Sequence, residues 1–230
     1  MTGQVAVVTG GTGALGQSVV LRFLHDGAVV AVPWIVPAEW EALRSRAGDG
    51  GARLHGARVD VTDEGALAVF VAGALARHQR LDVLVNTVGG FAGGDLASTS
   101  FAEWRRLLDL NLSSAVIGCR ALLPAMRAAR RGRIVNVASR AVVPPLGGFI
   151  AYTVAKSAVI ALTQALAQEE RPYGIAVNAV LPSTMDTPAN RLAMPDTDRS
   201  GWVSTEAVAG VIAYLASDAA AAVSGACVAV

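Results

Sequence analysis

Short apolar runs alternate with longer stretches of helical periodicity along the whole chain. The runs are rich in Val, Ile, Leu and Ala, and they predict strands at 5–8, 29–32, 54–59, 81–85, 134–138, 175–180 and 226–230. Apolar residues three or four apart predict helices at 14–25, 38–47, 63–78, 101–129, 152–170 and 205–216. Strands that are apolar throughout, each followed by a helix, indicate a parallel sheet buried on both faces. We therefore expect a doubly wound α/β fold.

Polar residues and a proline mark where several of these helices begin and end. Thr62 is the expected N-cap of the third helix. Ser100 and Glu103 form a capping box at the start of the long helix. Pro172 ends the helix that begins near residue 152.

No linker, repeat or low-complexity segment divides the chain, so we expect a single domain over residues 1–230. Irregular stretches follow the C-terminal ends of three strands, at about 89–99, 140–150 and 183–204. Ligands bind at that edge of a doubly wound sheet, and we expect these loops to wall the active site.

Composition is that of a folded chain with a large core. It is 53% hydrophobic and 16% charged, with a mean hydropathy of +0.47. No uninterrupted apolar stretch reads as long enough to cross a bilayer, so we assign the apolar residues to the core. The N-terminus lacks the basic and cleavage features of a signal peptide, which favours a cytoplasmic protein.

The net charge, the two cysteines and the three histidines argue against several classes of function. A net charge of +1 argues against binding to nucleic acid or to an acidic membrane face. We interpret the basic run of Arg127, Arg130, Arg131 and Arg133 as a solvated helix end. Cys119 and Cys227 are expected to be buried free thiols, and the three histidines have no metal-ligand spacing.

The first strand runs directly into a glycine-rich loop and then a helix. Glycines there allow backbone N–H groups to approach a pyrophosphate at the helix N-terminus, so this context favours dinucleotide binding over a plain turn. The candidate residues of this loop are Gly10, Thr12, Gly13, Ala14, Leu15 and Gly16.

Two later strand ends are further candidates for cofactor contact. Asp60, followed by Val61, either accepts from an adenine amino group or caps the next helix. The segment Asn86, Thr87, Val88 and Gly89 either brings backbone close to the adenine ribose or is an ordinary strand end with no role in binding.

Four polar residues form a candidate proton-transfer group. Tyr152 and Lys156 lie four apart on one helix face, where an ammonium can favour the phenolate. Lys156 is the only lysine among nineteen basic residues, which suits a site that needs a compact point charge. Ser139 could hydrogen-bond a substrate oxygen, and Asn111 could hold a water that links Lys156 to solvent. Each residue also has a non-catalytic interpretation. Tyr152 and Lys156 could be a surface pair, Ser139 a strand-end serine, and Asn111 a capping or packing asparagine.

With the glycine loop, these residues make the chain resemble the short-chain dehydrogenase/reductase family over essentially its whole length. The resemblance implies a Rossmann fold with parallel strands in the order 3-2-1-4-5-6-7, and a catalytic tetrad of Asn111, Ser139, Tyr152 and Lys156. Pro182 and Thr187 match the family's Pro-Gly-x-x-x-Thr segment, whose Thr contacts the nicotinamide carboxamide. Ala14, Thr87-Val88 and Ser183 depart from the usual motifs.

The resemblance also implies a function, hydride transfer between a nicotinamide cofactor and a carbonyl or secondary alcohol. Two alternatives remain, a catalytically idle dinucleotide sensor or scaffold, and a pteridine reductase. Segments around Gly10–Gly16, 89–94 and 181–188 resemble dihydropteridine reductase, but that branch lacks the catalytic serine and has an acidic residue after strand two.

Cofactor, substrate and assembly are expected as follows. Strand two ends in Pro33 and Trp34, and with no phosphate-pairing cation there we favour NAD(H) over NADP(H). Trp34 either covers the adenine or is a core or surface aromatic. The small apolar loops favour a neutral carbonyl substrate. Family resemblance implies a homo-oligomer, a tetramer or a dimer.

Overall fold

Seven parallel strands form one sheet in a computed structural model that describes all 230 residues. The strands are β1 Val5–Thr9, β2 Val29–Trp34, β3 Leu54–Arg58, β4 Val83–Asn86, β5 Gly132–Val137, β6 Ile175–Leu181 and β7 Cys227–Ala229. Their spatial order is β3-β2-β1-β4-β5-β6-β7, which confirms the predicted doubly wound fold and its strand order.

Helices cover both faces of this sheet. They are α1 Ala14–His25, α2 Pro37–Ala47, α3 Glu64–His78, α4 Phe101–Leu108, α5 Ser114–Ala129, α6 Ile150–Glu170, α7 Pro188–Ala193 and α8 Thr205–Ala216. Side chains alternate along β1, so Ala6 and Val8 join a core with α1, α2 and α8, while Val5 and Val7 join one with α3, α5 and α6. This two-sided burial is why the strands read as continuous apolar runs.

Helix boundaries agree closely with the periodicity, with one wrong cap. The α3 helix is capped by Asp63, whose side chain accepts from the Ala66 N–H at 3.0 Å. Thr62 instead donates its N–H and hydroxyl to Asp60 Oδ1, at 2.9 and 2.7 Å. Thr62 therefore closes a turn before the helix, and neither Thr62 nor Asp60 is the cap.

The predicted long helix is interrupted by a wide turn. A π-helical segment, Asp109–Ser113, separates α4 from α5. The Ser100 hydroxyl caps the start as predicted, accepting from the Glu103 N–H at 3.1 Å. The Glu103 carboxylate turns to Arg106 rather than back to Ser100, so only half of the capping box forms. The short helix α7 was not predicted.

Two helices, Phe101–Ala129 and Ile150–Tyr173, are long and apolar enough to cross a membrane by length and composition alone. These windows include charged residues such as Lys156, so they differ from the uninterrupted apolar stretches that the sequence was searched for. Both helices pack on the sheet, and 44% of the most apolar window of each is buried. A core helix of a compact fold meets the same criterion.

The basic run is only partly the solvated helix end that was expected. Arg133 lies in β5 and is buried, so that part of the interpretation is wrong. Arg127 pairs with the buried Glu170, and Arg131 pairs with Asp218 at 2.9 Å. Cys119 is a buried free thiol, and Cys227 is partly exposed.

Candidate active site

The glycine loop turns back sharply at the end of β1 and leads into α1. Gly10 has a φ of +69°, which suits glycine. A Cβ on Gly16 would lie 2.0 Å from the Gly10 carbonyl oxygen, so only glycine lets α1 pack this close to the loop. Gly13, the N-cap of α1, and Ala14 are exposed, and no side chain caps the helix. The free N–H groups at this helix start fit a pyrophosphate, despite the shifted glycine.

Beside this loop, the first turn of α2 contributes a carboxylate. The buried Thr12 donates its hydroxyl to Glu39 Oε2 at 2.9 Å, and its carbonyl accepts from Gln17 Nε2 at 2.7 Å. Sequence reasoning missed Glu39, because helix periodicity marks it only as a solvent-facing position. The packing of α2 beside the loop brings the two residues together across 27 positions.

Trp34 ends β2 near the same loop. Its ring stacks on Trp40 of α2, with centroids 5.9 Å apart and an interplanar angle of 9°. Its indole Nε1 is buried without a hydrogen-bond partner. One face of Trp34 is therefore occupied by protein, and an indole donor remains unused.

The strand-end segment after β4 packs directly against the glycine loop. A Cβ on Gly10 would lie 2.8 Å from Thr87 Oγ1 and 2.9 Å from the Val88 nitrogen. Thr87 donates its hydroxyl to the Thr9 carbonyl at 2.7 Å, which ties the segment to the end of β1. Asn86 points into the sheet, where its amide donates to Asn136 Oδ1 at 2.9 Å. Its side chain therefore braces the strands and faces away from a ligand at the strand end.

Asp60 and Val61 lie at the end of β3, one on the surface and one inside. Asp60 is exposed, and hydrogen bonds from the Thr62 hydroxyl and N–H lower its pKa. Val61 is buried in the core beside α3.

Tyr152 lies in the first turn of α6, beside Ser139 at the end of β5. Burial raises the pKa of the Tyr152 phenol, and hydrogen bonding with the Ser139 hydroxyl lowers it in part. Ser139 is itself buried, and its Oγ accepts from the Ala141 N–H at 3.2 Å. That bond uses only a lone pair of Ser139, so the hydroxyl hydrogen remains to donate, either to the Tyr152 oxygen or to a substrate oxygen.

Lys156 lies one helical turn further along α6 and is buried. Its ammonium donates to the Val137 carbonyl at 2.8 Å, and burial lowers its pKa to about 8. A Cβ on Gly89 would lie 3.2 Å from Lys156 Nζ and 2.8 Å from Asn111 Oδ1. Gly89 therefore lets the backbone after β4 approach both predicted catalytic residues.

Asn111 lies in the π-helical turn and is held by backbone groups. Its Nδ2 donates to the carbonyls of Gly90 and Leu107, at 3.0 and 2.9 Å. Its Oδ1 accepts from the Gly90 N–H at 3.2 Å. The side chain thus fixes the segment beside Lys156, and both its amide hydrogens are already engaged. An asparagine in mid-helix was the only sequence signal of this irregular turn.

The three predicted loops meet around this edge of the sheet. The Gly94 N–H donates to the Gly148 carbonyl at 2.7 Å, which joins the first loop to the second. Buried Pro182 accepts from the Arg140 N–H at 2.9 Å, which joins the second to the third. Thr187 is buried, and its hydroxyl caps α7 by accepting from the Asn190 N–H.

Two aromatic residues beside Tyr152 were not among the predicted site residues. Phe91 and Phe149 lie in the first and second loops, with ring centroids 5.1 and 6.1 Å from that of Tyr152. Only the contact between these loops, which no local pattern encodes, reveals the cluster. The described chain has no group of three or more His, Cys, Asp or Glu that could hold a metal ion.

Comparison with known proteins agrees with this geometry. A family model described as "short chain dehydrogenase" matches residues 4–198. The chain is 35% identical over 243 residues to a putative ketoacyl reductase of the monensin polyketide synthase from Streptomyces virginiae, covering 96% of this chain and 93% of that protein. It is 33% identical to a 3-alpha-(or 20-beta)-hydroxysteroid dehydrogenase from Mycobacterium bovis, covering 95% and 84%. Among solved structures, actinorhodin polyketide ketoreductase with NADPH is similar at a TM-score of 0.91 and 28% identity, covering 99% and 95%.

Proposed function

The chain belongs to the short-chain dehydrogenase/reductase family and is a nicotinamide-dependent oxidoreductase, and we propose that Tyr152 is its general acid and base. The substrate in this proposal is a small, neutral carbonyl compound or the corresponding secondary alcohol. When bound, the nicotinamide supplies or accepts the hydride. The observation that carries the proposal is the grouping of a half-buried Tyr152 with the buried Ser139 and Lys156 at the sheet edge that also carries the glycine loop.

Proton transfer follows from the chemistry of these three side chains. In reduction, the Tyr152 hydroxyl donates its proton to the carbonyl oxygen, and in oxidation it accepts the alcohol proton. The Ser139 hydroxyl, free to donate, stabilises negative charge that develops on the same oxygen. With a pKa of about 8, Lys156 is mostly protonated at pH 7, and its charge one turn from Tyr152 favours the phenolate.

Asn111 serves in this proposal as a positioning residue. Its three hydrogen bonds hold Gly90 and the π-helical turn beside Lys156. A relay water from Lys156 to solvent would then rest on the backbone around Asn111, since its amide hydrogens are engaged.

The cofactor is proposed to lie along the C-terminal edge of the strands. The exposed start of α1 takes the pyrophosphate, within a cradle that glycines keep open. The residues proposed to contact the cofactor are Gly10, Thr12, Gly13, Ala14, Leu15, Gly16, Trp34, Asp60, Val61, Asn86, Thr87, Val88, Gly89, Tyr152, Lys156, Pro182 and Thr187. For Asn86 the contact is through backbone, because its side chain braces the sheet.

The preference for NAD(H) over NADP(H) is proposed to rest on Glu39. Its carboxylate hydrogen-bonds Thr12 of the glycine loop, near the end of β2 where the adenosine ribose binds in such folds. A carboxylate there accepts from a ribose 2′-hydroxyl and repels a 2′-phosphate.

Tyr152→Phe tests the reaction. We expect cofactor affinity within about twofold of wild type and a loss of turnover of about 10²- to 10⁴-fold on a panel of neutral ketones. Tyr214→Phe, at an exposed position of α8, is the matched control and should be unchanged. Near-wild-type turnover in Tyr152→Phe would refute the mechanism. Cofactor binding without turnover of any ketone by wild type would support the sensor alternative, and turnover of a dihydropteridine would support the pteridine alternative.

Glu39→Gln tests the cofactor preference by direct titration of the dissociation constants for NAD⁺ and NADP⁺. Removing one negative charge near the ribose should shift the affinity ratio toward NADP⁺ by about three- to tenfold. Glu41→Gln is the control, because Glu41 pairs with Arg44 and not with the loop. An unchanged ratio in Glu39→Gln would contradict the assignment.

We also propose an oligomeric state, from the burial of the two long helices, and a cellular location, from the free cysteines. Only 44% of the most apolar window of each long helix, 101–129 and 150–173, is buried in the single chain, which supports a homo-oligomer, a dimer or a tetramer, that covers more of them. Light scattering after size-exclusion chromatography tests this, and a monomer at micromolar concentration would contradict it. The two unpaired thiols fit a cytoplasmic location.

A further inference from the structure

Three aromatic rings cluster at the mouth of the active site. Phe91, Phe149 and Tyr152 lie with ring centroids between 5.1 and 6.1 Å apart. Both phenylalanines meet the Tyr152 ring nearly edge to face, at interplanar angles of 71° and 72°. Phe91 differs from the other two because 63% of it is exposed. Phe91 is therefore largely open to solvent, although its ring centroid lies only 5.1 Å from that of Tyr152, the proposed general acid.

The cluster is held in place by pairing between two loops. The Ile150 N–H donates to the Gly94 carbonyl at 3.1 Å, and Gly94 also bonds Gly148, so the segments that carry Phe91 and Phe149 are joined. Such a pre-formed surface binds a ligand without a large ordering cost.

The second and third loops also carry exposed apolar side chains. Val143, Leu146 and Leu192 are 44%, 54% and 85% exposed, and they belong to the second and third loops. Arg191 is neutralised by Asp186, with which it forms two hydrogen bonds. Exposed apolar side chains gathered around one site are typical of a surface that binds an apolar ligand.

We propose that Phe91, supported by Phe149, binds an aromatic ring of the substrate, so that the substrate class is neutral aryl ketones and the corresponding aryl carbinols. This inference rests on the proposed function. Aromatic pairs with centroids 4.5–7 Å apart attract one another beyond the effect of buried area alone. An aryl ketone carries its carbonyl directly on the ring, which suits a platform whose centroid is 5.1 Å from that of Tyr152.

The test compares 1-phenylethanone with 1-cyclohexylethanone, two ketones of similar size that differ in ring planarity and π electrons. Because conjugation changes the intrinsic reactivity of the carbonyl, the quantity to compare between proteins is the phenyl-to-cyclohexyl ratio of kcat/KM. Phe91→Leu should lower this ratio by about two- to tenfold, mainly through KM for the phenyl ketone. Phe91→Tyr, which keeps an aromatic ring, should restore it. Phe101→Leu, at a similarly exposed position of α4, should leave it unchanged.

A binding measurement separates this inference from the proposed reaction. Calorimetric titration of Tyr152→Phe, loaded with oxidised cofactor, uses 1-phenylethanol and 1-cyclohexylethanol as ligands. Tighter binding of the phenyl alcohol, lost in the Phe91→Leu double variant, supports the platform even if no ketone is turned over, in which case only the proposed reaction fails. Equal binding of the two alcohols, or an unchanged ratio in Phe91→Leu, would overturn the inference.

Discussion

Replacing Lys156 by Met should stabilise the cofactor-free protein while abolishing its function. Burial lowers the pKa of Lys156 from its usual 10.5 to about 8. Each pKa unit corresponds to about 1.4 kcal/mol, so keeping this ammonium charged inside the fold costs roughly 3 kcal/mol. Met fills a similar volume without a charge, but it loses the hydrogen bond from the ammonium to the Val137 carbonyl, worth about 2 kcal/mol for a charged donor. The expected net gain at pH 7 is about 1 kcal/mol.

The pH dependence of stability follows from the same pKa difference. Between about pH 8 and pH 10.5 the unfolded chain holds the Lys156 proton while the folded chain has lost it. The free energy of unfolding of wild type therefore rises with pH through that window, by up to roughly 3 kcal/mol. Cys119, whose pKa burial raises to about 12, opposes this above pH 9. The opposing effect is common to both proteins, so the difference between wild type and Lys156→Met isolates the lysine.

Urea denaturation at several pH values measures these free energies, and a spectroscopic titration measures the pKa directly. Because Lys156 is the only lysine, ¹³Cε-lysine labelling yields one NMR resonance that needs no assignment. We expect its midpoint near pH 8 without cofactor. Lys156→Arg is the control, because a guanidinium keeps its charge and should be less stable than wild type at every pH. A midpoint near 10.5, or a Lys156→Met protein less stable than wild type at pH 7, would refute the reasoning.

Three further predictions concern packing and reactivity. Gly16→Ala should abolish cofactor binding in a titration and lower stability by about 1–3 kcal/mol, whereas Gly13→Ala, whose Cβ would meet only one carbonyl at 3.3 Å, should keep its stability. Asn111→Ala should cost about 1–3 kcal/mol in urea denaturation, because it leaves backbone groups unpaired. In alkylation followed by mass spectrometry, the partly exposed Cys227 should react first and buried Cys119 only on unfolding, and equal rates would contradict the fold.

Much of the architecture was predictable because its signals are local. Helix α8 begins and ends at the predicted residues, and so does α1, since apolar spacing reports which face of a helix is buried. The glycine loop lies between a strand and a helix, as its sequence context required. The four residues predicted as catalytic lie in three different segments, yet parallel strands bring their C-terminal ends to one edge.

Three features were beyond the patterns of spacing and capping. Capping by Asp63 rather than Thr62 depends on a turn that Asp60 closes first. The hydrogen bond of Asn111 to the Gly90 segment depends on how α4 packs over the strand end. The burial of Arg133 follows from its place in a central strand, although its neighbours in sequence suggest a solvated run.

The sequence by itself therefore determined the order of elements, the doubly wound sheet and the residues that are proposed to carry the chemistry. Only the tertiary structure decided which side chains surround that chemistry, namely Glu39 beside the glycine loop and Phe91 beside Tyr152. The physical reason is that periodicity and capping depend on neighbours within a few residues. Contacts between distant segments depend on strand register and on the closure of loops, which a linear pattern does not encode.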